Sequence, residues 1–241
     1  MVDLVNPTAV ILAGGLGTRL RSIIENQPKV LAEVSGHPFL KYILDQLIAW
    51  QIKDVVLCTG HLGEQIEARF GTDYQGLRLR YSRESIPLGT AGALRLALPS
   101  IQSDTALVLN GDSYCAADFA EFWRQHCARQ ATATMLLVNN PDTRRFGSVQ
   151  IATDGRILQF EEKKEGSKSG RINAGVYLLA RDLLQSIPTT RPVSLEREIF
   201  PTWIGEDFYG HLAAGPFLDI GTPESYALAE KFFAGLTAHH P

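Results

Sequence analysis

"AVILAGGLGTRLRSIIENQPK", residues Ala9 to Lys29, sets a short apolar run against a glycine-rich turn, an arginine and, ten residues further on, a lysine. From Thr8 to Ala13 the run is rich in β-branched and aliphatic side chains. It stops abruptly at Gly14-Gly15, the pattern of a buried strand that feeds a tight loop. Glycine lets the backbone approach a ligand closely and adopt conformations closed to other residues. Successive N–H groups in such a loop form an anion-binding concavity, to which Arg19 and Lys29 add fixed positive charge. That combination suits a polyphosphate, although an ordinary strand-to-loop turn with two solvated cations remains open on the glycines alone.

Outward from this segment, strand-like and helix-like runs alternate. "DVVLCTG" follows the amphipathic "FLKYILDQLIAW", and "LRLRYS", "TALVLNGDS", "TATMLLVNN" and "AGVYLLA" come later with helical patterns between several of them. The alternation predicts an α/β fold: a single-domain, Rossmann-like three-layer sandwich whose sheet is covered by helices on both faces. The second half adds hairpin signals, such as "FGSVQIATDGRILQFEEK" with Asp154-Gly155 at its turn. The central sheet is therefore expected to be mixed, mostly parallel. "KEGSKSGR", Lys164 to Arg171, reads as a mobile surface loop and the tail "LTAHHP" as fraying.

The 241 residues, 45% of them hydrophobic, can bury a large core as one domain spanning residues 1–241. With 23 basic and 26 acidic residues and no long run of either sign, a net charge of -3 offers no footprint for nucleic acid or a membrane surface. The three cysteines, Cys58, Cys115 and Cys127, form no C-x-x-C pair, which argues against a disulfide framework or a zinc site and fits a reducing compartment. The apolar stretch near the N-terminus is too short and glycine-broken to span a bilayer or act as a signal, so a cytoplasmic protein is expected.

In open α/β sheets ligands bind at the carboxyl ends of the strands. "TALVLN" ends there in Gly111-Asp112, and a second carboxylate, Asp219, lies between "PFL" and "IGTPESY", a turn and helix start with Pro223 near its first position. Two such aspartates could hold a divalent ion through oxygen, as where Mg²⁺ escorts phosphates; each alone is equally a loop carboxylate or a helix cap. "IPLGTAGAL" sets Gly89 and Gly92 between a strand and a helical run, where exposed backbone could meet a flat ring. "EEKK", Glu161 to Lys164, is either a solvated charge run or a set of site residues at a strand end.

Taken in order, "LAGGLGTRL…PK", "PLGTAGAL", "LNGDS", "FEEKK", "NAGVYLL" and "FLDIGTPESY" resemble the sugar-1-phosphate nucleotidyltransferases over about Thr8 to Glu230. Within that family "RLRSIIENQPK", "GHPFLKYILDQL", "SLEREIF" and "DFYG" are most similar to the branch that guanylylates heptose 1-phosphate. Many relatives carry proline-leucine-threonine where Ser22-Ile23-Ile24 stands, a departure that favours this branch. Mannose-1-phosphate guanylyltransferases and uridylyl or thymidylyl enzymes are the alternatives.

The resemblance implies attack by a sugar 1-phosphate oxygen on the α-phosphorus of a nucleoside triphosphate, with loss of pyrophosphate. It assigns Ala13, Gly14, Gly15, Gly17 and Thr18 to the triphosphate cradle, Arg19 to the β and γ phosphates, and Lys29 to the phosphate at the reacting centre. Asp112 and Asp219 would hold Mg²⁺. Pro87, Gly89 and Thr90 would border the nucleotide. Lys163 would bind the incoming phosphate, Glu162 would accept from sugar hydroxyls, and Asn173 with the Gly147 and Gly175 backbones would line the sugar pocket. Glu84 bears on the base. Many thymidylyl and uridylyl relatives have a glutamine there, whereas a carboxylate only accepts, and its two oxygens match the neighbouring N–H donors of guanine. GTP and a sugar 1-phosphate are thus the expected partners, and a homo-oligomer is open.

Rival classes lack their own residues. A dinucleotide-binding G-x-G-x-x-G would need glycine where Leu20 stands, no G-K-[ST] is present, and Asp112-Ser113-Tyr114 is not the D-x-D of a glycosyltransferase. A catalytically silent, sugar-nucleotide-sensing subunit would be expected to lose a ligand, yet Arg19, Lys29, Asp112, Lys163 and Asp219 are all present.

Overall fold

The run that opens the sequence forms β1 (Thr8–Leu12), and every residue from Thr8 to Ile11 is buried. Its side chains alternate between two hydrophobic layers: Ala9 and Ile11 face one, Val10 the other. A strand buried on both faces reads as continuously apolar, which is why "AVIL" shows no polar alternation. In this computed structural model the described residues are 7–15, 17, 20, 24, 26–143, 146, 148–161 and 169–237.

The strands after β1 are β2 (Glu33–Val34), β3 (His37–Pro38), β4 (Asp54–Thr59), β5 (Asp73–Tyr74), β6 (Leu77–Arg83), β7 (Thr105–Asn110) and β8 (Ser113–Cys115). There follow β9 (Ala133–Asn140), β10 (Ser148–Ile151), β11 (Ile157–Glu161), β12 (Gly170–Ala180), β13 (Phe208–Leu212) and β14 (Phe217–Asp219). Among the described residues the large sheet runs β11-β10-β12-β7-β1-β4-β6-β5, with β9 pairing both β12 and β13. Its centre, β7-β1-β4-β6, is parallel, while β12 joins β7 and β9 antiparallel. This is the mixed α/β sheet expected from the alternation and the hairpin signals. The hairpin lies where Asp154-Gly155 placed it: β10 and β11 pair antiparallel, and Gly155 takes φ +91° in the connecting turn.

Helices cover both faces. α1 (Phe39–Ala49) buries Phe39, Leu40, Ile43, Leu44 and Leu47 on the layer that also receives Ile66 of α2 (Gly63–Phe70), Phe122 of α4 (Phe119–Ala128) and Phe233 of α8 (Ala229–Thr237). Opposite, Leu94 of α3 (Gly89–Ala97), Leu184 of α5 (Arg181–Gln185) and Phe200 and Trp203 of α6 (Phe200–Trp203) pack on Val10, Val56 and Val108. α7 (Pro223–Tyr226) begins with Pro223 in its first turn, as the sequence predicts, and Thr222 is its N-cap in a capping box with Ser225.

Gly170 and Arg171, expected in a mobile loop, are instead the first residues of β12, where they pair with Asn140 and Asn139. Backbone hydrogen bonding to β9 outweighs the polar composition there. Lys164 to Lys168 lie outside the described residues, as do His239, His240 and Pro241 of the tail, whose Leu236 is helical. Trp50 stacks on Phe119, and Trp123 and Trp203 are buried. His126 is buried against Thr134 and desolvation pushes its pKa down to about 4, so it is a neutral core imidazole. Among the described residues no helix is long and apolar enough to cross a membrane.

Candidate active site

Parallel strands β1 and β7 end together, so the two chain segments leaving them are neighbours. Gly111 N donates to Leu12 O at 3.0 Å and Ala13 N to Cys58 O at 2.8 Å. The glycine loop and Gly111-Asp112 thus leave the sheet from neighbouring strand ends, with Gly14 turned toward Gly60 and Glu84. Lys29 arrives from a short 3-10 turn, Lys29–Leu31, anchored by buried Val30 and Leu31. Its Nζ lies 2.6 Å from Asp112 Oδ2. Gly17 takes φ +57°, and a methyl group added there would stand 3.4 Å from Lys29 Cβ. The Lys29 side chain therefore adjoins Gly17 at its base and Asp112 at its tip. Thr18 and Arg19 lie outside the described residues.

Asp219 is brought to the same point by a small antiparallel pair. β14 aligns Asp219 with Ser113 of β8, and Ile220 N donates to Asp112 O at 2.9 Å. Asp219 Oδ1 accepts from Gly221 N at 3.0 Å, and a side chain at 221 would begin 2.8 Å from that oxygen, so glycine keeps the carboxylate clear. Among the described residues no group of three or more His, Cys, Asp and Glu side chains could hold a metal. The backbones of Asp112 and Asp219 adjoin, and a pair of carboxylates is the donor type of a hard divalent ion that takes its remaining ligands from phosphates and water, the habit of Mg²⁺.

On the β4–β6 side stands Glu84. Its N–H donates to Thr59 O at 2.9 Å, and its Oε2 accepts from Leu88 N at 2.9 Å. Methyl groups added at Gly14 and Gly60 would lie 3.1 Å and 3.0 Å from Oε1, so two glycines make room for this carboxylate. Burial raises its pKa above the ordinary glutamate value, partly offset by the Leu88 N–H. Sequence reasoning offered both oxygens to a base; the fold commits one lone pair of Oε2 to holding the Ser85–Leu88 turn. Pro87 and Gly89 are exposed beside it and Thr90 is half-buried.

Gly89 and Gly92 each have a steric reason within the fold for being glycine. Gly89 takes φ +74°, and a Cβ there would lie 2.4 Å from Val193 O. Ala91 N and Gly92 N both donate to that same oxygen, and Val193 N donates to Leu88 O. Close approach of the Val193 backbone demands glycine at 89, while at 92 a Cβ would lie 2.8 Å from Leu88 Cβ. The contact continues through Thr90, whose Oγ1 accepts from Leu195 N at 2.8 Å and donates to Glu196 Oε2 at 2.9 Å. Glu196 sits in a π-helical turn, Leu195–Ile199, a local geometry frequent at functional sites.

On the β12 side the antiparallel register with β9 shifts between Asn173 and Tyr177. Both ends of the Asn173 amide hold this bulge: Oδ1 accepts from Gly175 N at 2.8 Å and Nδ2 donates to Tyr177 OH at 2.7 Å. Asn173 thus shapes the wall of the expected sugar pocket with its own hydrogen bonds. Gly175, at φ +74°, faces Ser113 Oγ and the Asn110 amide. Tyr177 is fully buried, and desolvation keeps its phenol well above the ordinary pKa, hence neutral. Gly147, Glu162 and Lys163 lie outside the described residues.

Asn110, Ser113, Tyr177, Val193 and Glu196 escaped sequence reasoning. Asn110 and Ser113 flank "GD" and could have been found from that position; Val193 and Glu196 come from a segment distant in sequence whose approach only the fold shows.

A sheet that gathers a glycine loop, a lysine and two aspartates at adjoining strand ends has the make-up of a site for phosphates, the class of nucleotide-using transferases. The chain belongs to the Nucleotidyl transferase family, whose model matches residues 8–234, and it is a nucleotidyltransferase. It is 35% identical over 224 residues to D-glycero-alpha-D-manno-heptose 1-phosphate guanylyltransferase of Aneurinibacillus thermoaerophilus, covering 92% of this chain and 96% of that one. It is 38% identical over 222 residues to mannose-1-phosphate guanylyltransferase of Mycobacterium tuberculosis, covering 90% of this chain but 62% of the relative, so it spans under two thirds of that enzyme. The crystal structure of HddC from Yersinia pseudotuberculosis complexed with GMP-PN superposes with a TM-score of 0.83 at 30% identity, covering 94% of this chain and 99% of that one. Enzymes of this family generally work with a divalent metal.

Proposed function

We propose that the protein transfers the guanylyl group of GTP to a sugar 1-phosphate, with D-glycero-α-D-manno-heptose 1-phosphate as the preferred acceptor and mannose 1-phosphate as the alternative. The observation that carries this reading is the convergence of Lys29, Asp112 and Asp219 between Glu84 on one side and the Asn173–Gly175 bulge on the other. Kinship with guanylyltransferases for both sugars supports it. Three free cysteines, two of them buried, suit a cytoplasmic setting.

A phosphate oxygen of the sugar 1-phosphate forms a bond to the α-phosphorus as the bond from that phosphorus to the bridging oxygen breaks, and the electron pair leaves with pyrophosphate. Two polyanions must meet, so positioning and charge carry the catalysis. The Gly14–Gly17 backbone and Arg19 would hold the triphosphate, Lys29 would steady the α-phosphate, and Lys163 the incoming phosphate. Asp112 and Asp219 would hold Mg²⁺, whose chemistry there is to neutralise charge on phosphate oxygens. Glu84 would accept guanine N–H donors through Oε1 and the remaining lone pair of Oε2.

Glu84→Gln tests the base reading and separates it from stability. An amide that both donates and accepts mismatches guanine, so GTP selectivity over UTP and dTTP should fall by about tenfold, the loss of one hydrogen bond to a charged acceptor. The sign of the stability effect is opposite. A raised carboxyl pKa means that folding disfavours the ionised form, a penalty absent below the ordinary glutamate pKa and fully present above the raised one. The variant's Tm should therefore equal or exceed the wild type at pH 7, with the advantage vanishing near pH 4. Unchanged selectivity, or a wild-type preference for UTP or dTTP, would remove Glu84 as the reader of the base.

A further inference from the structure

Lys29 does something in this structure that its proposed phosphate role does not explain. Its side chain is only 13% exposed, and among the described residues its one ion pair is with Asp112, at 2.6 Å. Asp112 is itself one of the two carboxylates that would hold the divalent ion. A divalent ion on a carboxylate oxygen lies about 2.0–2.1 Å away when it is Mg²⁺. An ammonium hydrogen-bonded to the same oxygen would then face a doubly charged neighbour at close range, and like charges in a sheltered site repel strongly.

We propose that Lys29 is a displaceable counter-ion: in the metal-free protein its ammonium neutralises Asp112, and arrival of the divalent ion drives it off that carboxylate toward the phosphate at the reacting centre. The inference rests on the reading of Asp112 and Asp219 as the metal carboxylates. The mechanics are in the fold. Buried Val30 and Leu31 fix the backbone at Lys29, while the flexible four-carbon stem lets the ammonium swing without moving that turn. The base of the stem lies beside Gly17 of the glycine loop, within reach of the proposed phosphate site. Lys29 thus shields Asp112 until the ion comes and meets the substrate only when its charge is needed there.

The test uses the full chain without nucleotide. Mn²⁺ binding is measured by electron paramagnetic resonance on wild type, Lys29→Met, Asp112→Asn, Asp219→Asn and the two double variants with Lys29→Met. Removing the competing ammonium should tighten Mn²⁺ binding on the order of fivefold or more, and either aspartate substitution should abolish it in both backgrounds. Equal or weaker Mn²⁺ affinity in Lys29→Met, with the aspartate dependence intact, would overturn the displacement while leaving the metal site standing. Binding indifferent to both aspartates would instead remove the metal site, and the displacement with it. A second readout needs no stable variant: in ¹⁵N-lysine spectra of the wild type, the ammonium signal held by Asp112 should shift on Mg²⁺ saturation. A signal unmoved by saturating Mg²⁺ contradicts the proposal.

Discussion

Asp112→Asn should lose turnover on the order of a hundredfold or more while the protein stays folded, because it removes charge where phosphate charge must be balanced. The amide is a far poorer ligand for a hard divalent ion than a carboxylate. The backbone at 112 is held independently, since its carbonyl accepts from Ile220 N and its neighbour Ser113 pairs with Asp219. The side chain is 40% exposed, so the substitution leaves no buried void. The check is steady-state kinetics across a Mg²⁺ titration together with a thermal melt. A folded variant with near wild-type, Mg²⁺-dependent kcat would sever Asp112 from the chemistry.

Gly175→Ala should damage both stability and activity, although it adds one methyl group. At φ +74° a residue with a Cβ is strained by about 1–3 kcal/mol. The new methyl would also lie 2.7 Å from Ser113 Oγ and 2.8 Å from Asn110 Nδ2, both beside the strand end that carries Asp112. A Tm decrease of at least about 4 °C is expected for a chain of this size, with kcat falling because β7, β8 and β12 can no longer approach. Differential scanning fluorimetry and pyrophosphate release check the pair of effects. An unaltered Tm would mean that the Asn173–Tyr177 bulge relaxes freely and does not set the pocket.

The parallel centre of the fold was legible because β1, β4 and β7 are buried on both faces, and that burial writes itself as "AVIL", "VVLC" and "ALVL". The hairpin was legible because Asp154-Gly155 supplies the turn with a residue free to take positive φ. The two carboxylates proposed for the metal, Asp112 and Asp219, were legible as strand-end residues. The packing reason for Gly89 was not legible because its cause, the Val193 backbone, lies about a hundred residues away and carries no local signal. Asn173 was named for the sugar pocket by its position alone, and its engagement with Tyr177 follows from a register shift that composition does not encode. Polar Gly170-Arg171 looked like loop because ladder hydrogen bonds to β9 are invisible to residue type.

The central claim is that this strand-end site exchanges pyrophosphate for a sugar 1-phosphate on GTP. Its most direct test is pyrophosphate release measured for the wild-type chain with Mg²⁺, crossing GTP, ATP, UTP and dTTP with heptose, mannose and glucose 1-phosphates. The account predicts release that requires both substrates, is fastest with GTP and D-glycero-α-D-manno-heptose 1-phosphate, and is next fastest with GTP and mannose 1-phosphate. Release with UTP or dTTP outpacing GTP, or none from any pair, would contradict it.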